Sequence, residues 1–182
     1  MSNSEVFLGL GKATGFAYSA PENTSLPAYP SESPNVAFVE TGAVGEDGID
    51  LTLPSGEVIK NWALKAERRI NTENGKIKVP FIATNKKVLE TAFGANFVEY
   101  LAATAQHGNV TSVTLTPDVS PSVKSFLFLM KDGDRLAMIG CQDGLVESVD
   151  DITFNGTTPV SWNLTIDGTW TLRFDDGQIA SS

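Results

Sequence analysis

The stretch Val123-Lys124-Ser125-Phe126-Leu127-Phe128-Leu129-Met130-Lys131-Asp132-Gly133-Asp134-Arg135-Leu136-Ala137-Met138-Ile139-Gly140-Cys141 decides the fold. Two runs rich in strand-forming residues, Val123 to Met130 and Arg135 to Cys141, flank Asp132-Gly133, a residue pair that tight hairpin turns favour. Toward the carboxyl end the pattern continues through Leu145 to Phe154, Val160 to Ile166 and Thr169 to Phe174, with Asp167-Gly168 again at two-residue hairpin spacing. Toward the amino end Val110 to Thr116 precedes it. The second half is therefore expected to be a meander of hairpins, with no internal repeat and no low-complexity tail.

The first half is more varied. Ile77, Val79 and Phe81 alternate with Lys76, Lys78 and Pro80, which reads as a half-buried strand with Pro80 marking an edge or a bulge. One helix follows, about residues 85–93, with Thr84 as its cap, Gly94 as its stop, and Val88, Leu89, Ala92 and Phe93 as one apolar stripe. Such a short amphipathic helix plugs the end of a sheet. Residues Phe97 to Gln106 read as strand or short helix. Upstream, Val36 and Phe38 open a strand that runs to the turn Gly45-Glu46-Asp47-Gly48, and Ile49, Leu51 and Leu53 alternate before Pro54-Ser55-Gly56. Residues 1–35 carry Pro21, Pro27, Pro30 and Pro34 among polar residues and are expected to form an extended arm outside the core, leaving 36–182 as one β domain. The fold class is mainly β: a sandwich or barrel with one flanking helix and an amino-terminal arm.

The chain has 182 residues, long enough for one real core. Its 22 acidic and 13 basic residues leave a net charge of −9, which argues against tight binding of nucleic acid, because phosphate affinity needs clustered Lys and Arg. The single cysteine, Cys141, lies in a buried-strand context and suits a reducing cytoplasm. The first residues lack the pattern of a signal peptide, and the longest apolar run, Phe126 to Met130, is too short to cross a bilayer. The matches to the glycosylation pattern at Asn23, Asn109, Asn155 and Asn163 carry little weight without a secretory context.

Catalytic material is scarce. His107 is the only histidine and stands in the loop-like Gln106-His107-Gly108-Asn109, while Cys141 lacks the electropositive surroundings that would make a thiolate. Gly9-Leu10-Gly11-Lys12-Ala13-Thr14-Gly15 misses the spacing of both phosphate-loop and dinucleotide motifs. The acidic pairs Asp132/Asp134, Asp150-Asp151 and Asp175-Asp176 follow turn chemistry rather than a calcium loop. No cofactor or metal is expected. Trp62, Trp162 and Trp170 read either as core rings or as a platform for stacking sugars, so a carbohydrate-binding sandwich is a competing reading.

Charge placement says more than the total. Residues 60–87 hold eight basic and two acidic side chains, a local +6, so the remainder of the chain carries −15 against the total of −9. One positive stretch and a negative remainder are self-complementary in a head-to-tail arrangement, although an ordinary solvated surface produces the same tally.

Gly42-Ala43-Val44-Gly45-Glu46-Asp47-Gly48 followed by Trp62, the unit Val79 to Asn85 leading through Val88-Leu89 to Phe93-Gly94, and the series Phe126 to Met130, Asp132 to Arg135, Val146 to Ile152 and Thr153-Phe154-Asn155-Gly156 together resemble the major tail tube proteins of long-tailed, non-contractile bacteriophages. The resemblance spans about residues 36–175, and the order of the pieces carries it rather than any single motif. Ser161-Trp162-Asn163-Leu164 departs from the Tyr-centred strand of relatives, and no immunoglobulin-like decoration follows. The resemblance implies a β domain that assembles into hexameric rings and stacks into a tube for genomic DNA, with no catalytic residues and no membrane contact. Its expected partners are further copies of itself and the tape-measure, tail terminator and distal tail proteins, in a virion assembled in the host cytoplasm. Lys60, Lys65, Arg68, Arg69, Lys76 and Lys78 are then candidates for contacts between subunits, Glu46, Asp47, Asp50 and Glu57 for a loop between rings, and the acidic remainder for the lumen. A tube or terminator protein of a contractile or secretion apparatus is the nearest alternative.

Overall fold

A computed structural model describes residues 16–31, 34–45, 48–54, 56–61, 66–71, 73–132, 135–157 and 159–175. In chain order it contains β1 (Phe16–Pro21), β2 (Val39–Ala43), β3 (Asp50–Thr52), β4 (Gly56–Asn61), β5 (Ala66–Asn71), β6 (Gly75–Phe81), helix α1 (Lys86–Phe93), β7 (Val98–Leu101), β8 (Val110–Val113), β9 (Lys124–Asp132), β10 (Arg135–Val149), β11 (Trp162–Gly168) and β12 (Thr171–Asp175). The main sheet is antiparallel, in the order β2-β1-β9-β10-β11-β6-β3, with β12 also on β10. A bridge between Val44 and Phe81, with Gly45 N donating to the Pro80 carbonyl (2.7 Å) and Ile82 N to the Ala43 carbonyl (3.1 Å), joins β2 to β6. The sheet thus closes on itself as a flattened barrel, and closure removes edges that would otherwise stay unpaired.

Alternation fills the interior. Ile77, Val79 and Phe81 of β6 and Leu164 and Ile166 of β11 are fully buried, while Lys76 and Lys78 face outward. Pro80 lies on a strand inside the sheet order, at the point where pairing changes hands from β3 to the end of β2. It has no N–H to offer Gly45, whose carbonyl instead accepts from Gly48 N at 3.1 Å. Neither the expected edge nor the expected bulge is found there: β11 pairs through Pro80 without a register shift, and only the partner on the other side changes.

Strand β9 is buried on both faces. Phe126 and Phe128 enter the main core, whereas Leu127 and Leu129 belong to a second cluster with Ala20, Phe38 and Met138 on the outer face of the sheet. Leu26 packs on that second cluster, so the segment between β1 and β2 works as a strap over the sheet. Thr24 N donates to Ser125 Oγ (3.0 Å) and Gln142 Nε2 to the Thr24 carbonyl (3.2 Å), which ties the strap down.

Several expectations are corrected. Residues 16–21, read as part of an arm outside the core, form a strand between β2 and β9, with Ala17 and Ala20 buried. The two strands expected over 135–141 and 145–154 are one strand, β10, which bulges between Cys141 and Gly144 and ends at Val149. The bulge bends it, so that one half carries β12 and the other β11. Asp167-Gly168 is therefore not a hairpin turn, because β11 and β12 lie end to end along β10 rather than side by side. Asp143 fixes the passage between them by accepting from Thr169 N (3.0 Å) and Thr169 Oγ1 (2.9 Å).

The helix is capped by Asn85, one residue after the expected Thr84. Its Oδ1 accepts from Val88 N at 2.9 Å and its Nδ2 donates to the Thr41 carbonyl of β2 at 3.1 Å. Thr84 Oγ1 instead accepts from Trp162 Nε1 at 3.0 Å. Gly94 ends the helix as expected, and a 3₁₀ turn over Ala95–Phe97 leads into the β7–β8 ribbon, which resolves residues 98–101 as strand. Phe93 meets Trp162 edge-on with centroids 5.8 Å apart, so α1 closes one end of the barrel.

Candidate assembly surfaces

The β4–β5 hairpin pairs only with itself among the described strands. Two strands alone are marginal in water, and a long ribbon with free edges is a surface prepared for a partner. Its register sets Lys60 opposite Glu67, Ile59 opposite Arg68 and Val58 opposite Arg69. Lys65 lies outside the described residues. Lys76 and Lys78 are elsewhere, on the barrel wall, and each has a carboxylate: Lys76 Nζ is 2.8 Å from Glu147 and Lys78 Nζ 2.6 Å from Asp150. The hydrogen bond to Glu147 raises the Lys76 pKa. The basic stretch is thus divided between the ribbon and neutralised pairs on the wall.

The acidic candidates are also separated. Glu46 and Asp47 lie outside the described residues, Asp50 opens β3 opposite Lys78, and Glu57 stands in β4 opposite Ile70. Asp50 and Glu57 are strand residues rather than members of one loop.

Among the described residues β3, at one end of the sheet order, pairs only with β6, and β12 pairs only with β10. Between them lies an open groove of about 300 Å³, lined by Leu51, Leu53, Pro54, Gly75, Trp170 and Leu172 among others. Trp170 forms its inner wall, its ring 6.0 Å from Phe128 and its Nε1 donating to the Gly75 carbonyl at 2.9 Å. Leu53 is 71 % exposed and Leu172 42 %. Glu73 lies on the rim, and Asp143 and Asp167 hold the lining residues Thr169 and Asn74. The alternation Ile49, Leu51, Leu53 marked one wall of this groove in the sequence; its meeting with Trp170 across the barrel had no local signal.

The remaining candidates are quiet. Trp162 is 8 % exposed and Trp170 half-buried, so these two rings do not share an open platform, and Trp62 lies outside the described residues. His107 is on an exposed loop with Nδ1 2.7 Å from the Gly108 carbonyl oxygen. Among the described residues no three His, Cys, Asp or Glu side chains cluster as a metal site would need, and no helix is long and apolar enough to cross a membrane. Burial pushes the Cys141 thiol up to about 12. The folded protein should therefore resist alkylation at pH 8, while the unfolded chain reacts at the rate of a free thiol, a difference of at least a hundredfold in a timed iodoacetamide assay.

Among the described residues, the barrel thus carries a ribbon with no other partner strand and an apolar groove open to solvent. A family model described as phage tail tube protein matches residues 3–171, and the chain belongs to that family. Its role is structural, in the tube of a virion tail, where it assembles with itself and with other tail components. Among curated proteins none matches it.

Proposed function

We propose that the protein is the major tail tube subunit of a long-tailed phage, polymerising as stacked hexameric rings whose bore conducts the genome into the host, with no catalytic step and no cofactor. The observation that carries this reading is the family match over residues 3–171 in a chain whose β4–β5 ribbon and whose β3 and β12 edges have no further partner strand among the described residues. Side-by-side placement of subunits in a closed ring gives each open edge a neighbour.

The chain's charge supports the same reading. Lys60, Lys65, Arg68 and Arg69 supply the subunit contacts, with Lys76 and Lys78 entering as ion pairs, while Glu46, Asp47, Asp50 and Glu57 belong to contacts between rings. Acidic side chains line the lumen, because each Lys or Arg touching phosphate would hold the DNA that must slide past. The DNA is conducted without being bound. Tape-measure, terminator and distal tail proteins complete the tail, which is assembled in the host cytoplasm.

Negative-stain microscopy of the purified protein over a concentration series tests the proposal. Rings and hollow tubes are expected above a threshold concentration. A persistent monomer, or tubes with a bore walled by Lys and Arg, would overturn it.

A further inference from the structure

We propose that Asn155 is a self-modifying site, at which the Gly156 backbone nitrogen closes on the Asn155 side chain and the amide becomes a carboxylate, with water as the only co-reactant. The site is independent of the tube reading, since one loop and its chemistry carry it.

The sequence holds two Asn-Gly pairs, Asn74-Gly75 and Asn155-Gly156. Glycine in second place matters because the attacking atom is that residue's nitrogen, which no Cβ then screens. The fold treats the two pairs in opposite ways. Asn74 Nδ2 donates to Asp167 Oδ1 at 3.0 Å, and Gly75 is buried in β6, opposite Gly168 of β11, with its carbonyl held by Trp170 Nε1. Ring closure there would require the ladder to open. Asn155, Gly156 and Thr157 are exposed and lie outside any strand, between the end of β10 at Val149 and the start of β11 at Trp162. Gly156 has φ +68°, and nothing stands within 4 Å of where its Cβ would be, so the segment has room to turn.

The side chain is already directed toward its attacker. Asn155 Oδ1 accepts from Thr157 N and from Thr157 Oγ1, both at 3.1 Å. A bond from the side chain to the residue two ahead folds the carboxamide forward over the intervening Gly156 nitrogen and brings the carbon under attack toward its nucleophile. The same two donors point at the oxygen on which negative charge develops as the nitrogen adds. In the reaction Gly156 N gives its proton to hydroxide and bonds to Asn155 Cγ; the Cγ–Nδ2 bond breaks, and ammonia leaves with a proton taken from water. Water then opens the five-membered imide at either carbonyl. One opening gives aspartate, the other isoaspartate, in which the main chain runs through the former side-chain carbonyl. Each event adds one negative charge, a few residues after Asp150 and Asp151, to a chain of net −9.

Incubation of the purified full chain near pH 8.5, followed by peptide mass analysis, tests the site. Asn155 should gain about 1 Da at least about tenfold faster than Asn74, and the difference should vanish in denaturant, where the ladder protects neither pair. The rate should rise between pH 7 and 9, because the nitrogen attacks only after losing its proton. Gly156→Ala, whose Cβ has open space, should slow the reaction at least about tenfold by screening the nitrogen. Thr157→Val keeps the backbone donor and loses the hydroxyl, which should slow it about threefold, the kinetic equivalent of one exposed hydrogen bond. An Asn155 that stays intact as long as Asn74 in the folded protein, or a Thr157→Val chain that reacts as fast as the parent, would overturn the proposal. Aspartate formed without isoaspartate would mean direct hydrolysis and would overturn it as well.

Discussion

Truncating Phe128 to alanine is expected to lower the unfolding free energy by about 3–5 kcal/mol, the range typical of an emptied aromatic core site. Phe128 is fully buried in the middle of β9, where β1 and β10 pair on either side of it. Its ring lies parallel to that of Phe126 with centroids 6.4 Å apart and contacts Trp170 at 6.0 Å, so the cavity would open where the two ends of the barrel share packing. Closure of the barrel through the Val44–Phe81 bridge leaves the strands little freedom to collapse into the space. Guanidinium denaturation below the assembly threshold is the measurement, since assembly would add its own mass-action stability. A loss under 1 kcal/mol would mean that Phe128 does not hold the core.

Phe126 to Met130 shows how far sequence reasoning reaches. The run was legible as a strand because it is short, apolar and followed by Asp-Gly, but its continuity has a cause that strand pattern alone does not reveal. Leu127 and Leu129 are apolar because a strap covers the outer face of the sheet. That strap and the β1 strand ahead of it read as an arm, since Pro21, Pro27, Pro30 and Pro34 signal extended chain whether or not a sheet lies beneath. Within β1 the buried residues are Ala17 and Ala20, too small to register as a hydrophobic pattern, and their burial depends on Phe128 and Ser125 lying opposite.

The strand break expected between Cys141 and Leu145 is instead a bulge within β10, and only the sharing of β10 by two partner strands reveals it. For the candidate surfaces the sequence supplied the residue types but not their distribution. Lys76 and Lys78 look like part of one basic stretch, yet Glu147 and Asp150, far along the chain, neutralise them. The groove, in turn, is made of three segments that meet only in the folded barrel.

Gly94→Ala is expected to cost about 3–5 kcal/mol, although it adds only a single methyl group. The residue has φ +93° and ψ 142°, a conformation that side chains rarely adopt, and a Cβ there would sit 2.6 Å from the Ser120 carbonyl oxygen. Backbone strain of this kind costs about 1–3 kcal/mol. A collision with main chain adds about as much as overpacking a core site. Relaxation is blocked on both sides, because Gly94 N donates to the Glu90 carbonyl (3.0 Å) while its own carbonyl accepts from Phe97 N (3.2 Å). Moving it would draw Phe93 away from Trp162 and lift α1 from the barrel end. Gly48→Ala supplies the comparison: its φ is also positive, at +76°, but nothing lies within 4 Å of the added Cβ, so only the conformational penalty of about 1–2 kcal/mol applies. Denaturation of the two variants side by side separates the effects. Equal losses would show that the contact with Ser120 is not part of what holds the helix in place.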